Sequence, residues 1–275
     1  MLKPRLITAT ILAAIFVAML IFLTPLLFVQ MLVIVFLVAG WEWANLAALK
    51  TPTLRYGFIL VLGVSLIAVA NVVDLQTQFD PLASYNLCLS VVAFWALIFL
   101  WLQGYPSSAI LWSPKPIKLF IGLILLTSTW LAIASILMME NGKWLIGLAM
   151  ATVILADVGG YVVGKLFGRH KLAPTISPGK TWEGLFGGVL FQLVFIGLLK
   201  IALPDADLLM LVLLIIPVGL ISVVGDLFES MVKRQRGVKD SSSLLPGHGG
   251  ILDRLDGVMA AMPLFFVIIF MANPF

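Results

Sequence analysis

The sequence predicts an all-α, polytopic integral membrane protein with about nine transmembrane helices and a cytoplasmic N-terminus. Of its 275 residues, 62% are hydrophobic and 11% are charged, and the mean hydropathy is +1.15. Soluble domains carry roughly 25% charged and about 45–50% apolar residues, so a soluble globular fold is excluded. Disorder is excluded because it needs low hydrophobicity and high charge. An outer-membrane β-barrel is disfavoured because its strands alternate polar and apolar residues.

Nine apolar runs are long enough to cross a bilayer, which takes about 17–25 helical residues. Thr24-Pro25 divides the first run from the second, and proline disfavours continuation of a helix, so a tight hairpin is expected there. No small-residue cleavage site follows the basic N-terminal segment, so the first run is interpreted as a retained helix. The runs cover residues 6–23, 26–46, 57–73, 86–103, 117–138, 144–166, 184–203, 207–225 and 256–273.

The distribution of basic residues supports this topology. With a cytoplasmic N-terminus, 15 of the 17 lysines and arginines fall on the cytoplasmic side, and only Lys143 and Lys200 fall outside. Cytoplasmic loops of membrane proteins carry such an excess. The net charge of +4 is therefore attributed to topology, and no nucleic-acid partner is expected. The single cysteine, Cys88, lies in an apolar run and is expected to be a small buried residue.

The positions of the charged residues divide the chain into two parts. Residues 226–256 hold 10 of the 30 charged residues and residues 157–183 hold another 6, and both histidines lie in these segments. Both segments are assigned to the cytoplasmic side, where we expect them to converge. Residues 1–138 are therefore interpreted as scaffold helices, which would also carry the contacts of a dimer. Residues 139–275 are interpreted as catalytic transmembrane helices with cytoplasmic loops at 165–183 and 226–256.

Four carboxylates are candidate metal ligands. Asp226 ends an apolar run and Asp157 lies inside one, and ionisable residues at membrane depth usually have a partner or a function. Asp253 and Asp256 are three residues apart and share a helical face. Helix capping and the helix dipole explain one of this pair without any metal. Oxygen donors without a cysteine cluster suit Mg²⁺ rather than Zn²⁺, and two metals would suit phosphoryl or nucleotidyl transfer.

A basic run and a glycine-rich turn accompany these acids. The run Lys233, Arg234, Arg236 and Lys239 is typical of contact with anionic lipid, but beside carboxylates it also suits a polyphosphate. The turn 246–250 has few side chains, so its backbone N–H groups can approach an anion, although it also suits an ordinary loop. Within it, His248 is a candidate phosphate donor, base or turn residue, and the sequence does not separate these roles.

The other polar segment contains Ser177-Pro-Gly-Lys180-Thr181. It lacks the G-x-x-x-x-G-K-[ST] frame and no strand is predicted before it, so a P-loop is rejected. A basic, hydroxyl-rich loop near phosphates remains the interpretation, with Ser177, Lys180 and Thr181 as candidate substrate-binding residues. Gly160 and Gly164 form a small-xxx-small pair, which is more typical of close helix packing than of a ligand site.

The stretch from Ser230 to Asp256 resembles the signature of the phosphatidate cytidylyltransferases, also called CDP-diacylglycerol synthases. That pattern is S-x-apolar-K-R-x(4)-K-D, a spacer, and H-G-G-apolar-x-D-R-apolar-D. The segment from Asp157 to Gly184 also resembles the family, with Val158 where relatives often carry a small hydroxyl residue. The matched positions are Ser230, Lys233, Arg234, Lys239, Asp240, His248, Gly249, Gly250, Asp253, Arg254 and Asp256.

The resemblance implies transfer of CMP from CTP to phosphatidic acid, giving CDP-diacylglycerol and pyrophosphate, with Mg²⁺ and room for a second metal ion. Two polyanions must meet, so metals and basic side chains matter more than a general base. It also implies a homodimer in the bacterial inner membrane with its site facing the cytoplasm. The implied metal ligands are Asp226, Asp253 and Asp256, supported by Asp157. The implied phosphate-binding groups are Lys233, Arg234, Lys239, Arg254 and the backbones of Gly249 and Gly250.

Two other functions stay open at this point. A CTP-dependent lipid kinase would release CDP instead of pyrophosphate. A transporter could use Asp157 as an ion site, but no internal repeat of the kind common in transporters is visible. A CDP-alcohol phosphotransferase is disfavoured, because Asp256-Gly257 begins that family's motif but no Ala-Arg follows.

Overall fold

The computed structural model describes residues 2–272, and the side chains of this range except those of residues 2–7 and 9. Most of this range, 78%, is helical, which confirms the predicted all-α class. The helices are α1 (Leu2–Phe22), α2 (Pro25–Leu46), α3 (Pro52–Val72), α4 (Pro81–Gln103), α5 (Ala109–Trp112), α6 (Lys115–Met138), α7 (Gly142–Phe167), α8 (Trp182–Ala202), α9 (Leu208–Arg236) and α10 (Leu252–Ala272). A hairpin of β1 (Lys171–Ala173) and β2 (Ser177–Thr181) joins α7 to α8.

Eight of the described helices, α2 to α4 and α6 to α10, are long and apolar enough to cross a membrane. In α1 the apolar part is the shorter segment Thr10–Phe22, so the count of nine spans stays a prediction that depends on α1. Proline begins α2, α3 and α4, where its fixed φ suits the first helical turn. The predicted break at Thr24-Pro25 is present: Thr24 caps α2 by accepting a hydrogen bond from the Leu27 N–H.

The centre of the fold is α6. In its most apolar stretch of 18 residues, 78% are buried. It packs against α2, α3, α4, α7 and α10. The Trp43 indole of α2 donates a hydrogen bond to the Lys118 carbonyl at 2.7 Å. A side chain at Gly122 would overlap this indole, so glycine there lets α2 and α6 approach closely.

The second group of helices is α7, α8 and α9, with α10 packed on α9. Gly160 and Gly164 of α7 face Gly184 of α8, and a Cβ on Gly184 would lie 2.7 Å from the Gly160 carbonyl oxygen and 3.3 Å from the Gly164 Cα. The small-xxx-small pair therefore packs helices, as predicted.

The polar segments have more regular structure than the sequence indicated. The hairpin β1–β2 occupies part of the predicted loop 165–183. In the predicted loop 226–256, α9 continues to Arg236 and α10 begins at Leu252, so residues 237–251 form the actual connection. Helix α9 continues because Phe228 and Met231 keep one face buried. It ends at Arg236, and the next residue, Gly237, caps it in the left-handed conformation with a φ of 77°.

The two polar segments converge, as expected. The Arg234 Nε donates to the Ile176 carbonyl of the hairpin at 3.2 Å. The Arg236 Nε donates to the Asn45 carbonyl at the end of α2 at 3.1 Å. The ends of α2, α7 and α9 and the start of α10 therefore lie at one end of the bundle.

Candidate active site

A buried ion-pair cluster joins α9 to α10. The Lys233 ammonium donates to the Asp253 Oδ1 at 2.6 Å and to the Glu229 Oε2 one helical turn away. The side chains of Lys233, Glu229 and Asp253 are 9%, 0% and 5% exposed. Buried charges need such partners. Two of the three Lys233 N–H donors are therefore engaged within the protein, and the geometry gives Lys233 a structural role between α9 and α10. Its phosphate-binding role stays a prediction.

Asp253 also fixes the connection between the two helices. Its Oδ2 accepts hydrogen bonds from the Ser241 N–H at 2.9 Å, the Ser241 hydroxyl at 2.8 Å and the Gly250 N–H at 2.7 Å. The Gly250 N–H therefore has a protein partner, which corrects the expectation that it is offered to a phosphate. Asp253 lies in the first turn of α10, where the helix dipole favours a carboxylate, but its Oδ2 accepts hydrogen bonds from residues before the helix and does not cap it.

Glu42 of α2 completes this cluster from the N-terminal half of the chain. Its carboxylate accepts hydrogen bonds from the hydroxyls of Ser241 and Ser242 and from the N–H groups of Ile251 and Leu252. The sequence reasoning missed it. The signal was available, because Glu42 is a lone carboxylate in an apolar run, the property that singled out Asp157.

A second charged pair joins the hairpin to α9. The Lys180 ammonium lies 2.6 Å from the Asp226 Oδ2, and both side chains are partly exposed. The Ser230 hydroxyl donates to the Asp226 Oδ1 at 3.3 Å. Sequence reasoning identified both charged residues but did not predict that they pair.

A cavity of about 540 Å³ lies beside this pair, between α7, α8, α9 and the hairpin. Its polar end carries charged and hydroxyl groups, whereas glycine and apolar side chains line much of the remainder. Gln192 lies ten residues into α8, about 15 Å along the helix from its start. The cavity therefore combines a charged mouth with a long, mostly apolar body. Its polar lining includes Asp157, Ser177, Lys180, Thr181, Gln192 and Asp226.

The carboxylates fit a hard cation only in part. Asp157, Asp226 and Asp256 lie close enough for their charges to interact. Such an excess of negative oxygen donors is chemically suited to Mg²⁺. Within residues 2–272, however, no three His, Cys, Asp or Glu side chains are already gathered as metal ligands. Asp253 fits least well, because four hydrogen bonds from the protein engage its oxygens.

The remaining basic residues lie on the surface around this site. Arg234, Lys239 and Arg254 are exposed. Arg254 lies within electrostatic range of Asp157 but does not line the cavity. Arg234 also donates to two backbone carbonyls, those of Ile176 and Val238, so part of its hydrogen-bonding capacity is used within the protein.

The glycine-rich turn is closed by its own backbone. The Leu245 N–H donates to the Gly249 carbonyl at 2.8 Å, and the His248 N–H donates to the Leu245 carbonyl at 2.9 Å. Gly249 has a φ of 79°, which suits glycine. Within the described residues, the His248 Nδ1 is buried without a hydrogen-bond partner, so the role of this imidazole stays open.

The hydroxyl residues of the hairpin have separate positions. The Thr181 Oγ1 accepts a hydrogen bond from the Gly184 N–H at 3.1 Å and thereby caps α8. Thr181 is buried, whereas Ser177 is half-buried. Ser177 and Lys180 are therefore better placed than Thr181 to meet a ligand.

Eight apolar helices within the described residues, and a cavity with a charged mouth, define a class of protein: a multi-pass membrane protein with an amphipathic cavity at the ends of its helices. The chain belongs to the cytidylyltransferase family, whose profile matches residues 3–272. This confirms the resemblance found in the sequence.

Curated relatives extend over the same length. A phosphatidate cytidylyltransferase of Haemophilus influenzae is 36% identical over 284 residues, which cover 96% of this chain and 97% of the relative. A protein of the same name from Pseudomonas aeruginosa is 37% identical over 275 residues, covering 99% of this chain and 98% of the relative. One from Mycobacterium bovis is 46% identical over 124 residues, covering 44% of this chain and 39% of the relative.

Proposed function

We propose that this chain transfers CMP from CTP to phosphatidic acid in a membrane, giving CDP-diacylglycerol and pyrophosphate for phospholipid biosynthesis. The cavity beside Lys180 and Asp226 carries this proposal, because its charged mouth suits a phosphate and its apolar body suits acyl chains. Similarity over nearly the full length to relatives named phosphatidate cytidylyltransferase supports the same reaction.

The chemistry needs little acid–base assistance. A phosphate oxygen of phosphatidic acid attacks the α-phosphorus of CTP, the bond from that phosphorus to the β-phosphate oxygen breaks, and pyrophosphate leaves with the bonding electrons. The attacking oxygen is already anionic, so the main barrier is repulsion between two polyanions. Lys180, which lines the cavity, would reduce this repulsion there, and the exposed Arg254 and Lys239 would contribute further positive charge.

For the metal, we propose Asp226 and Asp256 as ligands of Mg²⁺, with Asp157 in support. When bound, the ion would neutralise charge on the triphosphate. Lys180 now pairs with Asp226, and the metal would replace this partner. Asp253 would act chiefly by holding the connection in place. A second metal ion stays a prediction.

We further propose that this end of the bundle faces the cytoplasm of a bacterial cell, in the plasma membrane. The basic residues of the hairpin and the 237–251 connection lie there, and cytoplasmic loops carry such an excess. CTP is then available on the same side. A homodimer also stays a proposal, and it is tested by measuring the mass of the protein in detergent.

The experiment is to assay the purified protein with CTP labelled at the α-phosphate, phosphatidic acid and Mg²⁺. Label in the lipid product together with released pyrophosphate is expected. Release of CDP with unlabelled lipid would point to a lipid kinase instead. An Asp226→Asn variant should lose most of the activity, and Asp205→Asn, on the exposed turn between α8 and α9, is the matched control.

A further inference from the structure

Glu42 links the N-terminal half of the chain to the segment that carries the family signature. We propose that Glu42 is a positioning residue, which holds the 237–251 connection and the start of α10 in the arrangement needed for cytidylyl transfer. This inference rests on the proposed function, because it assumes that the reaction occurs beside this connection.

The position of Glu42 is unusual for a carboxylate. Glu42 is 2% exposed, and it takes part in no ion pair within the described residues. Its oxygens are instead engaged in pairs: Oε1 accepts from the Ser242 hydroxyl at 2.6 Å and the Ile251 N–H at 3.1 Å. The Oε2 accepts from the Leu252 N–H at 2.7 Å and the Ser241 hydroxyl at 3.2 Å.

Two of these donors are backbone N–H groups at the start of α10. The free N–H groups and the dipole of a helix N-terminus stabilise a negative charge. Glu42 therefore acts as a cap supplied by α2, about 210 residues away along the chain. Since Asp253, Arg254 and Asp256 follow within the first two turns of α10, the same contact sets where these side chains point.

The hydrogen bonds around Glu42 connect through Ser241 to the buried ion pairs of Lys233. The Ser241 hydroxyl contacts both the Glu42 Oε2 and the Asp253 Oδ2, and Asp253 in turn holds Lys233. A Cβ on Gly250 would overlap the Ser241 hydroxyl and both Glu42 oxygens. Glycine at position 250 is therefore explained by close approach to Glu42, a different requirement from the phosphate contact suggested by the sequence.

The test uses purified full-length protein in detergent and compares Glu42→Gln with wild type. Glutamine keeps the shape, but its NH₂ group faces two donors, so half of the hydrogen bonds are lost. We expect kcat to fall on the order of 10- to 100-fold, as for other groups that orient ligating or reacting side chains. Trypsin cleavage after the exposed Lys239 should accelerate several-fold. Glu140→Gln, an exposed carboxylate on the α6–α7 connection, is the matched control and should change neither quantity.

Ser242→Ala provides a milder variant that removes one donor to Glu42, and it should reduce kcat in the same direction. The double variant with Glu42→Gln should lose less than the product of the two single losses, because both changes act on one contact. The proposal is overturned if Glu42→Gln keeps the wild-type kcat and cleavage rate. It is also overturned if activity falls only in proportion to the fraction of unfolded protein. If wild type itself fails to transfer CMP, the proposed function fails, whereas the cleavage rate still tests the contact.

Discussion

Replacing Lys233 with methionine removes the ammonium group from the buried cluster that links α9 to α10. Glu229 and Asp253 would remain as two buried carboxylates, 0% and 5% exposed, without the ammonium that now contacts both. Removing one partner of a buried ion pair destabilises proteins by about 3–5 kcal/mol, because the remaining charge is left uncompensated. Asp253 keeps three other donors, so most of this penalty arises at Glu229, whose Oε1 already lacks a hydrogen-bond partner within the described residues.

The assay is denaturant unfolding in mixed micelles, followed by tryptophan fluorescence, for Lys233→Met and for the double variant with Glu229→Gln. The double variant should recover a large part of the lost stability, since it removes the stranded charge. Lys50→Met, at an exposed position between α2 and α3, should stay within about 0.5 kcal/mol of wild type. Unchanged stability in Lys233→Met would refute the assignment of Lys233 as the buried partner of both acids.

Three further outcomes are expected. Lys180→Ala should lower stability by about 1 kcal/mol or less, because the pair with Asp226 is partly exposed, yet it should raise the KM for phosphatidic acid in a micellar assay. An unchanged KM would refute the proposal that Lys180 binds phosphatidic acid at the cavity mouth. Gly250→Ala should speed trypsin cleavage of the 237–251 connection, since its Cβ would overlap Ser241 and Glu42, and equal cleavage rates would contradict that overlap. Asp226→Asn should weaken Mn²⁺ binding, followed by electron paramagnetic resonance, more than Asp253→Asn does. If Asp253→Asn weakened Mn²⁺ binding more than Asp226→Asn, Asp253 would be the stronger metal ligand.

The helices could be predicted from the sequence because each is encoded locally. A spanning helix needs a long apolar run, and Thr24-Pro25 marked the start of α2. Helices α3 and α4 begin at Pro52 and Pro81, five residues before the predicted runs. The predicted and observed ends of the spans therefore agree within a few residues in most cases. The exception is the end of α9, where charged residues were taken for a loop although one helical face stays apolar.

The site was predictable in its composition but not in its contacts. The spacing along the chain identified Asp226, Asp253 and Lys180, but it could not indicate that Asp253 faces the connection while Asp226 faces Lys180. Such pairings depend on how separate helices approach. Glu42 was missed for the same reason, since its partners lie about 200 residues away.

The length of α9 has a consequence for the lipid environment of the site. The helix has 29 residues, about 43 Å, whereas the hydrocarbon layer is about 30 Å thick. Measured from Leu208, Asp226 lies about 27 Å along the axis and Lys233 about 37 Å. If Leu208 lies at one edge of this layer and α9 crosses it upright, Asp226 lies close to the opposite edge and Lys233 lies beyond it, at the level of the lipid headgroups. A thicker bilayer would draw Asp226 below the phosphates of the lipids, so bilayer thickness itself becomes a determinant of how well the headgroup of a lipid meets the cavity.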